Sequence, residues 1–386
     1  MSKLFIIGNG FDIDHKLPTK YIHFKEYLEN KYPNLDTVNF QPSFSNDETD
    51  IARIVYYLIN EINDIEWNEF ETNLSCMPLG KLIMELEMFD YSSEDNPKYQ
   101  IDADVSIFDD IANNIGRLEF YFSSWVKTIN INTSVKEDFI SLLNTGNNKF
   151  LTFNYTLTLE DLYQIDKKNI CHIHGSIKDN YANIIFGHGG KILNKDLKDK
   201  IIKKLQENSL NTDIYLKKIS DFILYLEEYP TITENDKLNY VDKIINEVCS
   251  FKINYKSVES ETENLDRIID SFESEIDNLL VVFGNKKFDF DSIINRFRKN
   301  TKQQMKLNNL FFDKIKQSDM KEIYSYGFSF SEVDLPYIKH ICNCLDTSNI
   351  TWFLNNFDNE DKINEFKQII SKCGFKGKFD TFSVQK

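Results

Sequence analysis

The chain has 386 residues, 41% hydrophobic and 14% aromatic, which is enough apolar material for one large or two ordinary cores and excludes wholesale disorder. Its formal charge of −16 excludes a broad nucleic-acid surface and leaves room only for a local basic patch. No apolar run approaches the ~18 residues of a membrane span. The sequence moves straight into an apolar strand without a leader, and its six scattered cysteines lack the spacing of a disulfide framework, so a cytoplasmic protein is expected.

Leu4-Phe5-Ile6-Ile7 reads as a short buried strand. Gly8-Asn9-Gly10-Phe11-Asp12 follows as a turn whose glycines let the backbone approach a ligand. A helix entered at Lys20 or Tyr21, after Pro18 and Thr19, completes a strand–turn–helix unit of the kind that cradles phosphate. Residues 20–31 repeat apolar positions at helical spacing, 33–50 read as loop, 50–62 and 67–75 as helices, and 90–104 as an exposed acidic loop. Within 67–75, Trp67 is expected to pack, with Glu69 and Glu71 beside it. Ile111, Ile115, Leu118, Phe122, Trp125 and Ile129 form one apolar stripe of a helix over 108–130.

The period changes at residue 149. Lys149 to Phe153 is strand-like and ends in Asn154-Tyr155-Thr156, with a helix start near Glu160. Ile170 to Gly175 and Asn183 to Gly190 read as two more short strands. Three such endings predict sheet carboxyl ends feeding one crevice, where open α/β sheets bind ligands. Between Gly190 and Gly327 only Pro230 and Gly284 interrupt a charged run in which Ile214, Ile219, Phe222 and Leu226 recur at helical spacing. Residues 191–318 are therefore expected to be a helical insertion or subdomain with solvated charged faces. The α/β pattern returns with a strand at 322–329, a helix capped by Asp334, a strand at 349–354, a helix at 359–372 and a strand at 379–382. The fold expected is α/β: a Rossmann-like, mostly parallel sheet flanked by helices, assembled from 1–190 and 319–386. Cys342 and Cys344 read as helix thiols, since no second pair accompanies them to hold zinc.

Asp12, Asp14 and His15 are candidate metal ligands, and Asp-x-Asp after an apolar strand also suits a magnesium phosphohydrolase with an aspartyl nucleophile. Gly8-Asn9-Gly10 separates Asp12 from the strand end, however, so contact with a ribose hydroxyl or ordering of the glycine loop is preferred. A hydride-transfer fingerprint fits poorly, because Ile13 occupies its third glycine position. His188, between Gly187 and Gly189, is either a loop residue that closes on ligand or a surface histidine.

In Ile7-Gly8-Asn9-Gly10-Phe11-Asp12, Leu17-Pro18-Thr19-Lys20-Tyr21, Phe153-Asn154-Tyr155-Thr156 with Leu159-Glu160, His172-Ile173-His174-Gly175, and Gly327-Phe328-Ser329 with Asp334, the chain resembles the AbiH family of bacteriophage abortive-infection proteins. It is more distantly similar to the sirtuin-like NAD-binding fold. Gly8-Asn9-Gly10 falls at that fold's first glycine loop, Leu17-Pro18-Thr19 at its Ile-Pro-Asp, Asn154 at its catalytic asparagine, and His174-Gly175 at its catalytic histidine-glycine. Gly327-Phe328-Ser329 falls at its late glycine-serine turn. Thr156 stands where sirtuins carry an aspartate that helps hold nicotinamide, and Lys20-Tyr21 replace Phe-Arg. The sirtuin zinc module is absent, which argues against protein deacylation.

The resemblance implies an anti-phage protein that takes NAD as substrate or ligand, with no metal, and hydrolyses it to nicotinamide and ADP-ribose. Asn154 would hold a water or ribose hydroxyl and His174 would accept a proton. Read without it, Asn154 caps a helix and His174 is a hydrogen-bonded core histidine. Gly8, Asn9, Gly10, Phe11, Asp12, Pro18, Thr156, Gly175, Gly187, Gly327, Ser329 and Asp334 form the expected cofactor-binding set. A regular strand puts His172 and His174 on one face, so the choice between them stays open. The alternatives are a catalytically silent nucleotide sensor and a metal-dependent phosphohydrolase or nuclease. The partners expected are NAD or a related nucleotide, a phage component or partner defence protein, and further copies of the chain, with no membrane.

Overall fold

The computed structural model of the chain describes residues 2–32, Leu35, Ala52, Val55, Tyr56, 117–143, 147–178, 184–188, 195–226, Ile232, 234–251, 258–282, 297–357 and 359–384. The loops expected at 33–50 and 90–104, the helices at 50–62 and 67–75 with Trp67, Glu69 and Glu71, and Ile111, Ile115, Asn183, Gly189 and Gly190 lie outside these residues, apart from the four single residues named.

Six parallel strands form one sheet: β1 (Ser2–Ile7), β2 (Lys149–Thr152), β3 (Ile170–His172), β4 (Met320–Tyr326), β5 (Thr351–Asn355) and β6 (Lys378–Phe382), in the order β3-β2-β1-β4-β5-β6. Ile7 pairs with Thr152 on one side and Tyr326 on the other, and Thr152 pairs with His172. The carboxyl ends of these four strands are thereby aligned, and the loops that carry the predicted site leave one edge of the sheet. The direction of sequential connection reverses between β1 and β4, the position at which open sheets of this kind take ligands.

The continuous apolar run of β1 follows from burial on both faces, which parallel sheets require. Alternate residues serve different cores. Leu4, Ile6, Leu151, Ile323, Trp352 and Leu354 pack with helices α10 (Asn309–Gln317), α11 (Leu335–Cys344) and α12 (Glu360–Lys372). Phe5, Ile7, Phe150, Tyr324 and Phe353 pack on the other face with Phe11 and with Phe139 of α4 (Glu137–Leu143). Rings stack across four strands here: Phe150 on Phe5 at 5.0 Å, Phe5 on Tyr324 at 5.1 Å, and Tyr324 on Phe353 at 4.6 Å.

The turn after β1 differs from expectation. Helix α1 (Asn9–Asp14) starts directly behind Gly8, before α2 (Tyr21–Lys31). Helix α3 (Leu118–Val126) keeps Leu118, Phe122 and Trp125 of the apolar stripe buried. Strand β3 stops at His172, and 184–188 contributes one β-bridge at His188 in place of a strand. Asp334 precedes α11 but its side chain makes no capping hydrogen bond, and Glu160 lies in a π-helical turn (Thr158–Leu162). The C-terminal elements fall where the sequence puts them. Asn359 caps α12 by accepting from the Lys362 N–H.

Helices α5 (Lys195–Glu207), α6 (Thr212–Leu226), α7 (Glu234–Phe251) and α8 (Val258–Val282) share a core of their own that includes Leu197, Ile219, Phe222, Ile244 and Leu265. Helices α9 (Thr301–Leu307) and α10 stand apart from it: Phe311, Phe312 and Ile315 join the core of the sheet, although 191–318 reads as one block in sequence. Among the described residues, no helix is long and apolar enough to cross a membrane.

Candidate functional site

The exits of β1 and β4 meet as bare backbone. Gly8 N–H donates to Tyr326 O at 3.0 Å, Gly10 N–H to Gly327 O at 2.9 Å, and Phe11 N–H to Gly8 O at 2.9 Å. A Cβ on Gly8 would lie 2.4 Å from Gly327 O; Gly327 itself has φ 65° and would bring a Cβ within 2.1 Å of the Phe11 nitrogen. These glycines are therefore required by contact between two loops, and three N–H groups expected to face a ligand are engaged by protein carbonyls. Asn9 Nδ2 donates to Thr19 O at 2.9 Å and so ties the turn to the Leu17–Thr19 segment. Pro18 and Ser329 are exposed.

Beside this contact lies a buried polar cluster. Asp12 accepts from Thr156 Oγ1 at 2.6 Å and from Thr158 Oγ1 at 2.8 Å. Burial lifts its carboxyl to about 6, against the opposing pull of Thr156, Thr158, His172 and Asn154. Asn154 donates Nδ2–H to Gly8 O at 3.0 Å, and its backbone N–H donates to Thr152 Oγ1 at 3.1 Å. It caps no helix; the π-helical turn begins after Leu157. His172 places Nδ1 3.0 Å from Asn154 O and Nε2 2.9 Å from Glu160 Oε1. The carbonyl of Asn154 can only accept, so Nδ1 carries a proton, and Nε2 shares one with the Glu160 carboxyl.

The candidate metal ligands diverge. Asp12 turns to the two threonines. Asp14 accepts from the Tyr326 hydroxyl and pairs with Lys136 Nζ at 3.1 Å. His15 donates Nδ1–H to Phe11 O at 2.7 Å and accepts at Nε2 from Tyr163 Oη at 2.6 Å, a neutral arrangement that agrees with the lowering of its pKa by burial. The Tyr163 oxygen in turn accepts from Lys136 N–H at 2.9 Å.

His172 and His174 part because β3 ends at His172. Gly175, at φ 79°, donates its N–H to His172 O at 3.1 Å and closes a tight turn that sends the two side chains to different neighbours. His174 Nε2 lies 3.4 Å from Asp334 Oδ1, and neither atom has a hydrogen-bond partner. The ring rests edge-on against Phe153 at 5.3 Å and Tyr337 at 5.8 Å. Lys299 Nζ stands 3.7 Å from the same Asp334 oxygen. Burial, then Lys299, holds the imidazole well below its usual range; burial raises the Asp334 carboxyl while Lys299 opposes it. His188 is buried, so it is not a surface histidine.

The predicted residues thus fall into two groups. Gly8, Asn9, Gly10, Phe11, Asp12, Asn154 and Thr156 surround the exit of β1, whereas His174 and Asp334 stand at a second cluster with Lys299. Gly327 touches the first group, and Phe328 lies tilted against Phe153, at 4.5 Å, toward the second. Sequence reasoning missed Thr158, whose spacing from Thr156 was its only signal. It also missed Lys299, one lysine in a lysine-rich run.

An all-parallel six-stranded sheet flanked by helices, with buried carboxylate, amide, hydroxyl and imidazole groups at its carboxyl edge, defines an α/β protein. Within that class, the chain belongs to the bacteriophage abortive infection AbiH family, whose model matches residues 4–356. No curated protein and no solved structure matches it.

Proposed function

We propose that this abortive-infection protein binds NAD at the carboxyl edge of a Rossmann-like, sirtuin-like sheet and hydrolyses it to nicotinamide and ADP-ribose. One observation carries the reading. The sirtuin resemblance calls for a carboxylate at position 156, and here Thr156 donates to the buried Asp12 carboxylate at 2.6 Å, so the missing charge is supplied from β1's side of the edge.

In that chemistry water adds to the ribose C1′, the C1′–N bond breaks, nicotinamide leaves with the bonding electron pair, and one proton is released. A carboxylate near C1′ stabilises the cationic transition state. Asn154, anchored through Nδ2 to Gly8 O, keeps its amide oxygen for a water or ribose hydroxyl. His174, held neutral, is the proton acceptor. Residues 1–190 with 319–386 would form the nucleotide-binding domain of a cytoplasmic protein. The helical block would meet a phage component, a partner defence protein or another copy of the chain.

The test is to incubate the protein with NAD, alone and with extract of phage-infected cells, and to follow nicotinamide and ADP-ribose. Release by wild type, lost in Asn154→Ala and Asp12→Asn, is expected; full release by Asn154→Ala overturns the mechanism. A second reading, a silent nucleotide sensor, is favoured by the Gly8, Gly10 and Phe11 N–H groups being already engaged. It predicts NAD or ADP-ribose binding by calorimetry without turnover, and toxicity indifferent to His174→Ala.

A further inference from the structure

Helices α5–α8 lie in sequence between His188 and Phe297, and these two points are clasped together. His188 N–H donates to Phe297 O at 2.9 Å, Lys299 N–H donates to His188 O at 2.8 Å, and His188 pairs with Arg298 as a parallel bridge. The approach demands glycine at 187: its φ is 144°, and a Cβ there would fall 1.8 Å from Phe297 O, a backbone atom that cannot swing aside. Phe297 is itself buried. The clasp fixes where Lys299 stands. Its side chain is 1% exposed, and its Nζ reaches the Asp334 oxygen that faces His174. A lysine buried this fully is costly unless its charge is answered, and Asp334 answers it.

We infer that Lys299 is a positioning residue, held by the clasp at the foot of the α5–α8 block, that fixes the charges of Asp334 and His174 and so links the placement of that block to the proton content of the site. With Lys299 in place the three groups are an ammonium, a carboxylate and a neutral imidazole, which sum to zero. Withdrawing the ammonium leaves a lone buried carboxylate, and a proton from solvent restores neutrality by converting His174 to an imidazolium paired with Asp334. One proton enters for one ammonium withdrawn. A His174 already protonated can no longer accept a proton, so displacing the block would silence it as a base. That last consequence rests on the proposed NAD chemistry; the proton uptake does not.

The experiment is ¹⁵N NMR of the full chain labelled at histidine, without nucleotide, at pH 7, with the His174 resonances assigned by their loss in His174→Gln. Wild type and Lys299→Arg are expected to show the well-separated nitrogen pair of a neutral imidazole. Lys299→Met is expected to shift both nitrogens to imidazolium positions, and Lys299→Gln, which keeps a polar head, guards against misfolding of the methionine variant. Gly187→Val, which forces the clasp open, is expected to give the same shift with helical content retained. A neutral His174 in a folded variant lacking the ammonium overturns the charge role. A shift in Lys299→Met but none in folded Gly187→Val overturns the link to the block. Because no nucleotide is present, a failed NAD assay leaves either result standing.

Discussion

Gly10 and Gly327 meet so closely that a Cβ on Gly10 would lie 2.6 Å from the Gly327 Cα. The loops leaving the two central strands are locked by this contact, and the positions of Asn9, Asp12 and Phe328 follow from it. Gly327→Ala combines a left-handed backbone with a collision against the Phe11 nitrogen, and neither can be relieved by a rotamer change. A loss of about 3 kcal/mol or more is expected, read as a lowered midpoint in urea denaturation.

The raised pKa of Asp12 gives a signed pH dependence. Its folded value of about 6 lies above the ordinary aspartate value of 3.8. Between these the folded chain binds more protons than the unfolded one, so this group's contribution falls as pH rises from about 4 to about 6 and is level above. The difference is about 3 kcal/mol. Asp12→Asn should remove it, so the stability of wild type relative to the variant is expected to decline between pH 4.5 and pH 7 in urea titrations at the two values.

Glu160 Oε1 meets His172 Nε2 at 2.9 Å in a site where their side chains are 8% and 13% exposed. Glu160→Gln breaks this buried polar pair, at an expected cost of about 1–3 kcal/mol. The double variant Glu160→Gln/His172→Gln should recover more than half of the loss. A double-mutant cycle by chemical denaturation checks both statements.

Within the helical block, the Lys204–Asp242 pair is short at 2.6 Å but its side chains are 29% and 48% exposed. Asp242→Asn should therefore change stability by less than about 1 kcal/mol, with the small effect fading in high salt. Ile244→Ala, in the fully buried core beside it, should cost about 2–5 kcal/mol. Thermal unfolding of the two variants side by side separates them.

The elements with strong local signals were legible. Leu4–Ile7, Asn349–Leu354 and the helices at 20–31 and 359–372 declare burial through pattern alone, and the structure places strands or helices there within a residue or two, whereas the helix expected over 108–130 ends at Val126. The strand exits at Gly8, Asn154 and Gly327 were legible because strand endings are marked by glycine and short polar residues, whereas the separation of His174 from them was not. What escaped was set by partners distant in sequence. Gly10 looks like an invitation to a ligand until Gly327 is seen to fill the space. Asp334 has the sequence of a helix cap, yet Lys299 and His174 claim its carboxylate. The ambiguity between His172 and His174 arose because regular alternation was carried through His174, whereas the strand ends at His172.

The central strand is also the first one made. β1 ends at residue 7, its neighbour β2 begins at 149, and its other neighbour β4 begins only at 320. Closing the longer loop adds little free energy over the shorter one, because closure entropy grows only with the logarithm of length. The burden is one of timing: during synthesis an apolar strand waits, one edge unpaired, until Met320–Tyr326 has left the ribosome. Such a fold is slow to complete and open to aggregation until then.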